Sequence, residues 1–116
     1  MILTEDPKKM RLAVPTKNGR IFVDEKNILY CKAEGSYTTL YLVDSEAILI
    51  TRGLRKVHEA ITPGVFVRIH HSYIVNIYHI VNFSVNRKNC VTLTDGTILS
   101  VSRNRKKSFF EKYKIV

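Results

Sequence analysis

The side chains best suited to bind a metal or transfer a proton are four histidines and two cysteines. His70 and His71 are adjacent, so on a strand they are expected to point to opposite faces. His79 follows eight residues later and Cys90 eleven residues after that. These spacings are too wide for a Cys/His zinc site, and the chain contains no HExxH or CxxC motif. We therefore expect no metal and no cofactor.

The sequence also lacks the motifs of the common enzyme active sites. Its glycines are scattered one to a turn instead of forming a phosphate-binding loop, and no GxSxG nucleophile motif is present. Carboxylates are scarce where the chain is most basic, which disfavours an acid/base site built from paired carboxylates. The sequence therefore predicts a protein that is not an enzyme.

Basic residues are concentrated in the second half of the chain, which has a net charge of +9 overall. Residues 1–58 hold 10 basic and 7 acidic residues, whereas residues 59–116 hold 9 basic and 3 acidic residues. Between Ala60 and Phe110 the only acid is Asp95. A long segment nearly free of carboxylates suits a polyanionic partner, and a basic face without a partner is the alternative.

Turn signals divide most of the chain into short segments that are typical of β-strands. Asn18-Gly19, Gly35-Ser36 and Asp95-Gly96 each separate two runs rich in β-branched and aromatic residues. Such dipeptides predict tight hairpins, because they supply the backbone conformations that two-residue loops require. Further strands are expected at residues 47–50, 66–69 and 79–85.

Two helices are also predicted. The spacing of apolar residues indicates one helix over residues 54–61, with Thr51 as its N-cap and Pro63-Gly64 as its stop. The second runs from about residue 104 to residue 113 and is expected to bury Phe109, Phe110 and Tyr113.

The expected start of the second helix carries a cluster of cations, formed by Arg103, Arg105, Lys106 and Lys107. The helix dipole disfavours cations at this end of a helix. The cluster is easier to explain if an external anion, such as a DNA phosphate, meets it. Solvated surface charge is the alternative interpretation.

The most distinctive segment is FVRIHHSYIVNIYHI, residues 66–80, which interleaves apolar residues with Arg, His, Ser and Asn. It follows the turn Glu34-Gly35-Ser36-Tyr37 and the helix at 54–61, and it precedes Asp95-Gly96 and Val101-Ser102-Arg103. This arrangement resembles the LytTR family of DNA-binding domains, the output half of LytR/AlgR-type bacterial response regulators. The family pattern includes a block F-x-R-x-H-x-S-y-x-V-N-x-x-x-I, followed by D-G and v-S-R. The resemblance covers about residues 11–113.

The resemblance implies a mainly β fold, with an elongated β–β–β architecture of about ten strands, one short helix and a possible C-terminal helix. It also implies that loops enter successive major grooves of tandem DNA sites bound by two copies, and that the duplex bends. The base-contacting loops of the family correspond here to the turns at Tyr37, His71 and Arg103. His71 stands where the family more usually has Lys, Arg or Asn.

The chemistry of these side chains leaves several roles open. Arg is the commonest reader of guanine, through paired bonds to O6 and N7, and a salt bridge is the alternative for Arg103. His71 can contact a base edge or a phosphate. Tyr37 can contact a thymine methyl group or a phosphate, or pack at the end of a strand, whereas His70 and Asn76 are expected to be structural. The candidates for phosphate contacts are Ser36, Arg55, Lys56, Ser72, Asn104, Arg105, Lys106 and Lys107.

Residues 1–10 are expected to be a linker or tail, and residues 11–116 a single LytTR-type domain. The start lacks the apolar middle of a signal peptide, and no apolar run approaches the ~20 residues of a membrane span, so we expect a cytoplasmic protein. The resemblance implies the output domain of a two-component system. We expect either an output domain excised from a longer chain that carries a receiver domain or a stand-alone regulator, and the linker-like start favours the first. The alternatives are a β-rich protein-interaction module with an incidental basic face, or a binder of single strands or RNA that stacks bases on exposed aromatic side chains.

Overall fold

The computed structural model describes residues 11–85 and 88–116. Within them, ten strands form three antiparallel sheets, and two short helices pack beside them. The strands are β1 (Arg11–Thr16), β2 (Gly19–Asp24), β3 (Ile28–Glu34), β4 (Tyr37–Leu42), β5 (Ile48–Ile50), β6 (Phe66–His70), β7 (Tyr73–Asn76), β8 (Ile80–Ser84), β9 (Cys90–Leu93) and β10 (Ile98–Ser100). Their orders are β1-β2, β5-β4-β3-β7-β6 and β10-β9-β8.

The three predicted hairpins are confirmed. β1 pairs with β2, β3 with β4, and β9 with β10, each across the turn that the dipeptides indicated. Gly35 adopts a φ of 60° between β3 and β4, a left-handed conformation that glycine reaches without a steric penalty. At the β9–β10 turn, the Asp95 carboxylate accepts a hydrogen bond from the Thr97 backbone N–H at 3.0 Å.

The five-stranded sheet carries apolar side chains on both faces, and both faces are covered. Along β3, Cys31 contributes to one core cluster and Tyr30 to the other. The first cluster lies under β1, β2 and the helix α1 (Leu54–Ala60). The second lies under the β8–β10 sheet and the helix α2 (Lys106–Phe110). The prediction of a mainly β fold with a β–β–β architecture of about ten strands is therefore confirmed.

The first predicted helix begins at Leu54, as predicted, but its N-cap differs from the prediction. Gly53, and not Thr51, is the N-cap of α1, and no side chain caps this helix. Thr51 lies two residues before this N-cap, and its backbone N–H donates to the Pro15 carbonyl at 3.0 Å, beside β1. The helix ends at Ala60, before Pro63.

The C-terminal helix is shorter than predicted. A 3-10 turn occupies Arg103–Arg105, and α2 covers only Lys106–Phe110. Phe109 is buried and Phe110 is half-buried, but Tyr113 remains exposed, contrary to expectation. The Tyr113 ring packs on the edge of Phe109, while its hydroxyl reaches the Ile77 carbonyl at 3.5 Å, so the polar end of the ring stays near solvent. No helix in the described ranges is long and apolar enough to cross a membrane.

Candidate nucleic-acid interface

Antiparallel pairing brings two of the predicted loops to the same end of the five-stranded sheet. Lys32 near the end of β3 lies opposite Tyr73 at the start of β7. Beyond this pair, the Ala33 backbone N–H donates to the Ser72 carbonyl at 2.9 Å. The β3–β4 turn at residues 35–36 and the β6–β7 turn at residues 71–72 are therefore neighbours.

The third loop is attached to the same end from the other sheet. The Ser102 backbone N–H donates to the Ile69 carbonyl at 2.8 Å, directly before the residues of the β6–β7 turn. Val101 is likewise bonded to the Asn89 carbonyl, at 3.0 Å, so the loop preceding β9 lies close by. We call this end of the molecule, formed by residues 35–37, 71–72 and 102–105, the turn edge.

The start of α1 adjoins the turn edge. The Thr38 hydroxyl donates to the Arg52 carbonyl at 2.9 Å. Gly53 approaches the neighbouring turn so closely that a Cβ atom there would lie 3.5 Å from the Ser36 carbonyl oxygen. The first turn of α1, with Arg55 and Lys56, therefore begins beside the β3–β4 turn.

The structure brings together all three residues predicted to contact bases. Tyr37 is 44% exposed at the start of β4, so it is not packed into the core. His71 is exposed in the β6–β7 turn, and Arg103 is exposed at the start of the 3-10 turn. No described acidic side chain forms an ion pair with Arg103. One acid, Glu34, lies across the hairpin from Tyr37 and pairs with Lys32 at 3.8 Å.

The predicted phosphate contacts differ in how freely their side chains can move. Ser36, Lys56, Asn104 and Lys107 are exposed, whereas Ser72, Arg105 and Lys106 are half-buried. The Lys106 ammonium lies 5.7 Å from the centre of the Phe83 ring. Arg55 pairs with Glu59 one helical turn away, at 3.6 Å, although its side chain is 88% exposed. The exposed members are thus better placed to meet phosphates.

The two adjacent histidines do not point to opposite faces, and this part of the sequence prediction is wrong. Their rings stack, with centroids 4.5 Å apart and planes inclined by 30°. The reason is that β6 ends at His70 and its pairing with β7 shifts register between Arg68 and His70, so the alternation of a regular strand does not extend to His71.

Comparisons with known proteins show the family and the fold. Residues 18–114 match the family model described as the LytTr DNA-binding domain. The chain belongs to the LytTR family. A solved structure, the LytTr DNA-binding domain of a Bacillus cereus protein described as a methyl-accepting/DNA response regulator, has the same fold. It aligns with a TM-score of 0.76 over 89% of this chain and 95% of its own, at 20% identity. A search of curated proteins found no match.

In this LytTR domain, His70 and Asn76 take structural roles, as predicted. His70 accepts the Ser72 backbone N–H on its Nδ1 atom at 3.1 Å. Asn76 is 1% exposed; its amide donates to the Ile28 carbonyl at 3.0 Å and its oxygen accepts the Tyr78 backbone N–H at 3.0 Å. Both side chains therefore satisfy backbone groups at turns.

Sequence reasoning missed three cations that the LytTR fold places at or beside the turn edge. Arg52 is exposed next to the β3–β4 turn, and Lys88 is exposed and close enough to lower the pKa of His70. Arg68 is half-buried beneath the β6–β7 turn. Arg52 and Lys88 are distant in sequence from the turns they adjoin. Arg68 sits within the family block, but only the folded turn shows which carbonyls it meets.

Burial and crowding by cations govern the protonation of this cluster. Desolvation lowers the pKa of His70 below its ordinary value, and the nearby His71, Arg105, Arg68 and Lys88 lower it further. Burial, followed by repulsion from Arg105, also lowers the pKa of Arg68. The accumulated positive charge makes this edge a favourable place for an anion.

The described residues contain no group of three or more His, Cys, Asp or Glu that could hold a metal ion. Cys31 and Cys90 are free thiols. Burial raises the pKa of Cys31 to about 12, so this thiol remains protonated and is a poor metal ligand.

Proposed function

We propose that this domain binds double-stranded DNA sequence-specifically by inserting the turns of the turn edge into the major groove. The observation that carries the proposal is the convergence of three turns from two sheets on one basic edge, each presenting an exposed side chain able to contact a base: Tyr37, His71 and Arg103. Separate turns of this kind reach separate base pairs, whereas a flat basic face reaches only the backbone.

The side chains divide naturally into base readers and backbone contacts. Arg103 offers the planar fork that recognises guanine, and His71 offers a ring nitrogen that can donate or accept at a base edge. Tyr37 presents a ring and a hydroxyl to a thymine methyl group or a phosphate. Exposed cations flanking these residues neutralise phosphates and fix the register of the domain on the duplex. Those flanking cations are Arg52, Arg55, Lys56, Lys88 and Lys107.

We further propose that the domain is the cytoplasmic output half of a two-component transcription regulator, controlled by a receiver domain. Membership of the LytTR family supports this role. The single edge and its three turns suit one half of a tandem site, so two copies are expected to occupy the full site. Two copies on adjacent half-sites are also expected to bend the DNA between them.

The single-strand or RNA alternative is less consistent with the exposed aromatic residues. Tyr37 lies at the turn edge, but the most exposed tyrosine, Tyr78, follows the opposite end of β7. Phe22, which is 62% exposed, lies on β2 of another sheet. Aromatic side chains spread over separate parts of the domain do not form a platform for successive bases.

A competition experiment separates duplex binding from the alternatives. Duplexes that bind are first selected from a random pool, and the enriched duplex is then challenged with an unrelated duplex, the single strands or RNA at fixed salt. We expect the selected duplex to compete best. Equal competition by all four nucleic acids would contradict specific recognition, and failure to enrich any duplex would favour a protein-interaction module.

A further inference from the structure

Two side chains of β6, those of Arg68 and His70, form hydrogen bonds with the backbone of the turn that contains His71. Arg68 Nε donates to the His70 carbonyl at 3.1 Å, and its Nη2 donates to the His71 carbonyl. His70 Nδ1 accepts the Ser72 backbone N–H at 3.1 Å. The two side chains thus engage both carbonyls at the centre of the turn and the amide that follows them.

We propose that Arg68 and the neutral ring of His70 are positioning residues that fix the His71–Ser72 turn in the conformation that reads DNA. The effect on DNA binding rests on the function proposed above, whereas the conformational role can be tested on the free protein. Neither side chain needs to touch DNA for this role.

His70 performs the same local task as two other side chains in the domain. Asn76 accepts the backbone N–H of Tyr78, and Asp95 accepts that of Thr97, each two residues further along the chain. Asn and Asp commonly stabilise turns in this manner. His70 uses a ring nitrogen instead, and a ring nitrogen loses its lone pair as acceptor when it is protonated.

The groups around His70 make its neutral form the stable one. Its ring stacks on His71 and lies 5.3 Å from the Tyr73 ring, with Arg68, Arg105 and Lys88 as the neighbouring cations. Burial is the main reason that its pKa is lowered, and these cations add to the effect. His70 is therefore neutral at neutral pH. Because protonation is harder in the folded state than in the unfolded chain, acid lowers folding stability as well as removing the turn's acceptor.

Arg68 is the second support, and its shape matters as well as its charge. Its fork meets two carbonyls at once, whereas a lysine ammonium is a point charge on a flexible stem. Arg68→Lys keeps the positive charge and removes the paired geometry. The substitution therefore separates positioning from a direct contact with phosphate.

The first test measures the affinity of Arg68→Lys and Arg68→Gln for the selected duplex at several salt concentrations. The matched control is Arg11→Lys, because Arg11 pairs with Asp24 at the start of β1, away from the turn edge. We expect both Arg68 variants to bind at least about tenfold more weakly, with the salt slope unchanged, and the control to bind like the wild type. Wild-type affinity in Arg68→Lys, together with a slope about one unit shallower in Arg68→Gln, would identify a phosphate contact and overturn the proposal.

The second test compares His70→Asn and His70→Ala with the wild type between about pH 7.5 and about pH 5, with folding checked by circular dichroism at each pH. Asn supplies an acceptor that does not titrate, so His70→Asn should bind the duplex within about threefold of the wild type at neutral pH. As the pH falls, the affinity of His70→Asn relative to that of the wild type should rise. His70→Ala should be weak at every pH. The control is His79→Asn, because His79 bonds to Thr94 and Lys26 away from the turn edge. Its affinity should follow that of the wild type at each pH. A wild-type to His70→Asn ratio that does not change with pH, or wild-type binding by His70→Ala, would overturn the proposal.

A measurement without DNA separates this proposal from the proposed function. Nitrogen NMR of the free protein should show His70 with its proton on Nε2 and a bare Nδ1. A proton on Nδ1 would contradict the positioning role even if duplex binding were demonstrated. If the wild type bound no duplex, the NMR result would still decide how the turn is held.

Discussion

Arg103 directly follows the strand-like segment that ends in buried Val101 and half-buried Ser102, and it begins a 3-10 turn that contains a second arginine. Its anchoring comes from the backbone bond between Ser102 and Ile69, not from its own side chain. The guanidinium is therefore free to enter a groove while its Cα position is fixed. Lys107, one helical turn later, is exposed on α2 and is better suited to the DNA backbone.

Arg103→Ala should cost about 1–3 kcal/mol of binding free energy on the preferred duplex and relax the preference at one base position. Lys107→Ala is the matched control, and it should weaken preferred and unrelated duplexes alike. Neither change should lower thermal stability appreciably, since both side chains are exposed. Binding constants for the preferred duplex and its single-base variants provide the measurement. Equal weakening of every duplex by Arg103→Ala would make Arg103 a backbone contact instead.

The exposed residues of the candidate site were largely predictable, whereas the roles of the half-buried residues that support them were not. The positions of Tyr37, His71 and Arg103 at turns followed from the resemblance to the LytTR family, and only Tyr37 also follows a local turn signal, Gly35-Ser36. The stacking of His70 on His71 could not, because it depends on a register shift in β6 that leaves no local signal. The same shift conceals the role of Arg68, whose bonds go to backbone carbonyls.

The start and the middle of the chain segment that contains α2 have separate roles. Its start carries the cations, and its middle inserts Phe109, which is 2% exposed, beside Phe83 with ring centroids 5.8 Å apart. Phe110 packs on the same ring at 4.8 Å. This aromatic cluster fixes the five-residue helix, which is too short to be stable alone.

Phe109→Ala should lower the free energy of unfolding by about 3–5 kcal/mol, because it leaves a cavity in the second core cluster. Urea unfolding followed by circular dichroism measures the loss. Phe22→Ala is a suitable control, since Phe22 is 62% exposed and should change stability by less than about 0.5 kcal/mol. A similar loss in both variants would mean that α2 is not anchored by this cluster.

Hairpins were the elements most accurately predicted, because their turn residues act locally. The boundaries of the helices were less accurate for a different reason. Thr51 has a side chain that favours the N-cap position, yet it lies before the helix, where its backbone N–H bonds to Pro15 of β1. The C-terminal segment has apolar residues through Tyr113, but the cluster around Phe83 accommodates only the first part of them as a helix.

The whole molecule combines a sheet buried on both faces with charged turns at one end. Since its stability comes from two apolar clusters and the described residues hold no candidate metal cluster, folding should not depend on a metal. Treatment with a strong chelator should therefore leave the thermal midpoint unchanged. Stoichiometric zinc that is lost together with the folded state would contradict this account.

Duplex DNA is expected to bind at the turn edge and not to respond to the positive charge of the molecule as a whole. This expectation is tested by two double variants that remove the same charge. Lys88→Gln with Lys107→Gln acts at or beside the turn edge. Lys26→Gln with Lys114→Gln acts away from it, because the backbone carbonyl of Lys26 bonds to the His79 ring before β8, and Lys114 follows Tyr113, which contacts Ile77.

The measurement is the slope of the logarithm of the duplex association constant against the logarithm of salt concentration, for the wild type and both double variants. Each phosphate contact contributes about −0.9 to this slope. We predict that the turn-edge variant has a slope shallower by about 1.8, while the control retains that of the wild type. Equal changes in the two variants, or a wild-type affinity that does not respond to salt, would contradict the claim that the turn edge binds the duplex.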